Sequence, residues 1–146
     1  MGNAAQIGRE LRAELSKTIR DVMLLAADNL MNATPVDTGH ASSNWVLSLG
    51  SPYTGIDGSR QAVSTVEQDR GIDAVTGYDI GRDGPIYLRN NVLYLQFLDQ
   101  GHSQQAPAGF VGQAFMAASR RAPHGRKTST KKMLRSMARS AYVKTY

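Results

Sequence analysis

The run Thr34-Pro35-Val36-Asp37-Thr38-Gly39-His40-Ala41-Ser42-Ser43-Asn44-Trp45 contains the one tripeptide in this chain that could carry chemistry by itself. Asp-Thr-Gly is the active-site turn of aspartic proteases. In those enzymes two such turns face each other, so that two carboxylates share a proton and activate water. A chain holding a single copy, as a retropepsin-like enzyme does, has to dimerise to supply the second. The surroundings of Asp37 point elsewhere: Pro35 and a long helical pattern precede it instead of a hydrophobic strand, and no later apolar-apolar-Gly element supports it. The Asp37 or Thr38 oxygens are therefore expected to accept from backbone N–H groups just downstream, with Gly39 taking a positive φ.

The other candidates for chemistry do not converge. His40, His102 and His124 are far apart, and none has a second ligand-type residue three or four positions away on a helix, the spacing a zinc site uses. Asp79, Asp83 and Asp99 lack the dense oxygen spacing of a calcium loop. Gly55-Ile56-Asp57-Gly58 and Gly77-Tyr78-Asp79-Ile80-Gly81 are turn glycines without the Lys-Ser/Thr that follows a phosphate-cradling loop. With no cysteine in the chain, thiol chemistry, disulfides and cysteine zinc sites are excluded. No catalytic, cofactor or metal residue is expected.

The elements that must position these residues follow from periodicity. Ile7, Leu11, Leu15, Ile19, Val22, Ala26, Leu30 and Ala33 recur at three- and four-residue intervals with charged residues mostly between them, which predicts one long amphipathic helix. Thr34-Pro35 ends it, because a residue before proline is driven from the α region. A short helical turn over residues 40–44 and a strand over residues 45–49 come next, then a loop through residue 58. Ser59 is a candidate cap for a second helix reaching about Ala74. Residues 75–80 and 86–88, flanking Gly81-Arg82-Asp83-Gly84-Pro85, predict a hairpin, since Asp-Gly is a strong turn signal. Asn90-Asn91 should break the second strand and cap the segment that starts at Val92. Residues 92–98 suggest a short helix ending at Gly101, with a strand as the alternative, residues 101–109 a loop, and residues 110–121 a helix stopped by Pro123-His124-Gly125. The fold class expected is α+β: the long helix packed on a small, mostly antiparallel sheet with further short helices.

Charge divides the chain in two. Residues 1–119 carry 8 basic and 12 acidic side chains, whereas residues 120–146 carry 9 basic ones and no acid. One domain over residues 1–122 followed by a basic tail, 123–146, is the expected organisation for 146 residues. Met133, Leu134, Met137, Ala138 and Tyr142 give the tail a weakly amphipathic helical pattern, suited to ordering on an anionic partner, either nucleic acid or an acidic protein surface. A tail neutralising phosphates would make the protein a small nucleic-acid binder of strongly salt-dependent affinity. No apolar window approaches the roughly 18 residues of a membrane span, and the start lacks a basic segment followed by an apolar run. The expectation is assembly in the cytosol, with no membrane partner.

Four blocks in order carry a family resemblance: the long helix; Thr34 to Gly39 with Ser43-Asn44-Trp45; Ile86-Tyr87-Leu88-Arg89-Asn90-Asn91-Val92-Leu93-Tyr94; and Leu98-Asp99-Gln100-Gly101-His102-Ser103-Gln104-Gln105-Ala106-Pro107-Ala108-Gly109-Phe110-Val111. Over about residues 1–121 the chain resembles the neck and tail-completion (head-tail joining) proteins of long-tailed bacteriophages. The resemblance implies a non-enzymatic virion component that forms a ring at the head-proximal end of the tail. Six copies would match the tail tube and twelve the portal, with six favoured. Its neighbours would be the tail terminator or tube and the head-closure or connector proteins, with DNA in the channel a further candidate. Pro35, Asp37, Thr38, Gly39, Trp45, Asn90, Asn91, Tyr94 and Gly101 are the motif positions, expected to serve mainly the fold. His102, Ser103, Gln104 and Gln105, with Arg126, Lys127, Lys131, Lys132, Arg135 and Arg139 of the tail, are the candidate contact residues. The family often ends soon after the last helix, so the basic extension is a departure from it.

Overall fold

A computed structural model describes residues 2–58 and 65–121. The Ser59 cap, the Pro123-His124-Gly125 stop and all of the tail positions named above lie outside the described residues. The elements are α1 (Gly2–Ala33), α2 (His40–Ser43), β1 (Val46–Leu49), α3 (Val66–Thr76), β2 (Ile86–Arg89), α4 (Leu95–Asp99) and α5 (Phe110–Arg121). The α+β class is the one the sequence predicts: a long N-terminal helix, a two-stranded antiparallel sheet and short helices.

Helix α1 spans 32 residues, about 48 Å at the usual rise. Its second half is buried among the rest of the chain. Leu24 and Ala27 join Leu47, Ile72 and Val75 in one apolar cluster between α1, β1 and α3. Leu30 joins Trp45 and Ala114 in another, which ties α1 to the start of β1 and to α5. Strand β1 pairs with β2 so that Val46 faces Arg89, Leu47 faces Leu88, Ser48 faces Tyr87 and Leu49 faces Ile86. Helix α3 lies so tightly on β1 that a Cβ at Gly71 would overlap the Leu47 carbonyl oxygen, so a glycine is required there.

Two expectations are corrected. The hairpin of residues 75–80 with 86–88 does not form, and β2 pairs instead with β1, some forty residues earlier. Val75 and Thr76 complete α3 because Val75, fully buried, sits one turn after Ile72 in the cluster against Leu24. Burial on a helix face thus overrides the β propensity of a Val-Thr-x-Tyr run. The turn that follows closes one step earlier than the Asp83-Gly84 signal suggests. Asp79 Oδ1 accepts from Gly81 N at 2.7 Å, Asp83 Oδ2 accepts from Asp79 N at 2.8 Å, and Asp83 N donates to the Asp79 carbonyl at 2.8 Å. The second correction concerns the start of α3. Thr65 caps it in a reciprocal capping box, its hydroxyl accepting from Gln68 N while Gln68 Oε1 accepts from Thr65 N.

Candidate functional site: the Asp37 turn and the loop after Gly101

Helix α1 ends on a residue with two tasks. Thr34 still donates its N–H to the Leu30 carbonyl at 3.0 Å, and its hydroxyl donates to the same oxygen at 2.6 Å. That hydroxyl then accepts from Trp45 Nε1 at 2.8 Å, with Thr34 and Trp45 both buried. Pro35 sends the chain out, and Gly39 brings it back with φ 82°, the positive value that glycine accepts freely. Thr38 Oγ1 accepts from His40 N at 3.4 Å, the downstream bond expected of this turn. Asp37 does not take that part: its side chain is exposed, and no hydrogen bond to its carboxylate is formed among the described residues.

Behind the turn, Asn44 ties three segments together. Its Nδ2 donates to the His40 carbonyl at 2.8 Å and to the Asp57 carbonyl at 3.0 Å, and its Oδ1 accepts from Asp57 N at 2.7 Å. Asn90 donates to the Ala41 carbonyl at 2.7 Å while its Oδ1 accepts from Val92 N at 3.1 Å, so it caps the segment opening at Val92 as expected. Asn91 Nδ2 donates to the carbonyls of Tyr53 and Gly55 at 3.0 and 2.9 Å. These amides satisfy loop backbone that β1 and β2 cannot reach, which buried peptide groups require.

The loop after Gly101 comes back to the same place. Gly101 has φ 93°, and Val36 N donates to Gln105 Oε1 at 2.8 Å, joining the loop to the Asp37 turn across 69 positions. Asp99 closes the loop at its base: its carbonyl accepts from Gly109 N at 2.6 Å and its carboxylate from Val111 N at 2.9 Å, at the start of α5. Between turn and loop lies a cleft of about 240 Å³ edged by Asp37, His40, Tyr94, His102, Ser103 and Gln105. It is smaller than the 300–1,000 Å³ typical of small-molecule pockets. The His40 and Tyr94 rings stand 6.2 Å apart there, and Phe97 meets His102 edge-on at 6.4 Å. Among the described residues no cluster of three or more His, Cys, Asp or Glu side chains could hold a metal ion.

Every described motif position therefore has a visible part in this corner or borders it, Asp37 only as part of the cleft's exposed rim. Sequence reading passed over Thr34, Asn44 and Asp99 as site residues. Thr34 and Asn44 flank named motif positions, but their partners, Trp45 and Asp57, are set by the fold. Beside the corner, Leu93, Tyr94 and Phe97 leave 85%, 42% and 53% of their surface exposed, a concentration of large apolar side chains on and just before α4. Comparison with family models, with curated proteins and with solved structures finds no match to this chain.

Proposed function

We propose that this chain is a structural subunit of the head-tail joint of a long-tailed bacteriophage, assembling with copies of itself into a ring, six-fold by preference, at the head-proximal end of the tail. The observation that carries the reading is the bare apolar surface of Leu93, Tyr94 and Phe97 beside a loop that the fold holds in place. Large exposed apolar side chains gathered at one place mark contact surfaces. The four blocks behind the family resemblance supply that arrangement. Their amide and carboxylate groups bond backbone and so tie the loop of residues 101–109 to the turn after α1 and the end of α4 to the start of α5. A rigid corner presenting apolar side chains and the polar rim of His102, Ser103, Gln104 and Gln105 suits a repeated subunit contact. Asp37, placed between two helices on an exposed turn, fits this reading better than a protease dyad.

The test is the double variant Leu93→Asp with Phe97→Asp, introduced into the phage genome that encodes the chain. Both side chains are exposed, so the fold is expected to persist by circular dichroism. Ring formation should be lost, and heads and tails should accumulate unjoined. A folded double variant that supports normal particle yield would overturn the proposal.

A further inference from the structure

The two ends of α1 meet opposite fates on one face. Its apolar positions Ile7, Leu11, Leu15, Val22, Ala26, Leu30 and Ala33 form a continuous stripe in sequence. Helix α5 covers the later part of that stripe. Val36 N reaches Gln105 in the loop before α5, and on α5 itself Asn29 Nδ2 donates to the Ala114 carbonyl at 3.1 Å, with Ala114 packed on Leu30. As α5 numbers rise, α1 numbers fall, so the two helices run antiparallel and α5 heads toward the start of α1. Ala118 and Ala26 are both wholly buried. Helix α5 is described as far as Arg121, and among the described residues the earlier stripe is bare: Ile7, Leu11 and Leu15 are 56%, 59% and 44% exposed, within a stretch, residues 3–15, that is exposed at every position.

We propose that residues 122–146 of the same chain lie along this bare stripe, extending the α1–α5 contact to the start of α1. Three observations choose this occupant. The first is direction, because the chain leaves α5 travelling toward Leu15, and Pro123 and Gly125 let it leave the α5 axis and settle on the neighbouring helix. The second is spacing. Ile7, Leu11 and Leu15 recur every four residues over about 12 Å. The apolar pairs Met133-Leu134, Met137-Ala138 and Ala141-Tyr142 recur every four residues over the same length. The third is charge, since Glu10 and Glu14 line one flank of the stripe, and residues 120–146 hold 9 basic side chains and no acid. A second copy of α1 laid antiparallel on the stripe would instead set that acidic flank against its own twin, which like-charge repulsion disfavours. Once the apolar side is seated, the outward basic residues are gathered on one surface, available to an anionic partner.

The absence of cysteine from these 146 residues permits a direct test in the whole chain. Leu11→Cys is combined in turn with Leu134→Cys, Met137→Cys and Ala141→Cys, and Arg9→Cys, on the far side of the helix, replaces Leu11→Cys in the controls. Under mild oxidation at least one stripe pair should close an intrachain disulfide about tenfold faster than its Arg9 control, the advantage that a held geometry gives over a loose tether. Equal rates for stripe and control pairs, or absence of any disulfide, would overturn the proposal. Disulfide-linked dimers as the main product would also overturn it, assigning the stripe to a neighbouring copy. Hydrogen exchange gives an independent reading: amides of residues 7–15 should exchange about tenfold faster in Leu134→Asp/Met137→Asp than in the parent, and equal exchange would contradict the contact.

Discussion

The two halves of α1 are built from the same pattern and differ in what surrounds them. From Leu24 to Leu30 the helix is buried on two sides, the stripe face at Leu30 against Trp45 and Ala114 and the opposite face at Leu24 and Ala27 against β1 and α3, and it acts as the spine of the domain. From residue 3 to residue 15 the same kind of stripe is exposed among the described residues. An isolated helix of that length is marginal in water. The difference teaches that an apolar period reports which face of a helix is meant to be covered, and the rest of the fold decides by what.

Substitutions that remove buried contacts should mark this division most clearly. Trp45→Ala should cost about 3–5 kcal/mol, because it empties the junction of α1, β1 and α5 and removes the Thr34 bond. Denaturation followed by circular dichroism measures this, since Trp45 is the chain's one tryptophan. Leu24→Ala should cost about 2–5 kcal/mol in the same assay. The matching Leu11→Ala should cost less than Leu24→Ala, because only residues 122–146 are proposed to cover it; equal losses at the two positions would erase the comparison. Asn44→Ala, which removes both bonds to the Asp57 backbone, should fall between them at about 1–3 kcal/mol.

The smallest effect concerns pH. Asp28 is buried in the spine half, and burial raises its carboxyl above the ordinary 3.8, with the Asn32 amide acting weakly the other way. The folded state therefore holds this proton more tightly than the unfolded chain does. Stability contributed by Asp28 falls as pH rises from 3.8 through the raised value, and the ionised carboxylate is a cost at neutral pH. Asp28→Asn should raise the melting temperature at neutral pH, with the gain shrinking as pH approaches 3.8. A gain that grows on acidification would reverse the assignment.

Much of the architecture was legible because its signals are local. The period of α1, the Pro35 stop, the turn over residues 40–44, β1 and α5 follow from spacing, caps and breakers within a few residues. The hairpin failed because Val75 obeys a distant neighbour: packing against Leu24 holds residues 75 and 76 in α3 and leaves β2 to pair with β1. At the candidate site some conformational roles were readable, as Gly39 with positive φ and Asn90 as a cap show, whereas the positive φ of Gly101 was not. The bonds from Asn44 to Asp57, Asn91 to Tyr53 and Val36 to Gln105 were not, since each joins segments that only the fold brings together.

The proposal of a ring subunit meets its most direct test in electron cryo-microscopy of the head-tail joint in particles made by the genome that encodes this chain. The account predicts a ring of its copies at the head-proximal end of the tail, with Leu93, Tyr94 and Phe97 buried at the boundary between subunits. Particles whose joint lacks this chain, or a ring that leaves α4 facing solvent, would contradict it.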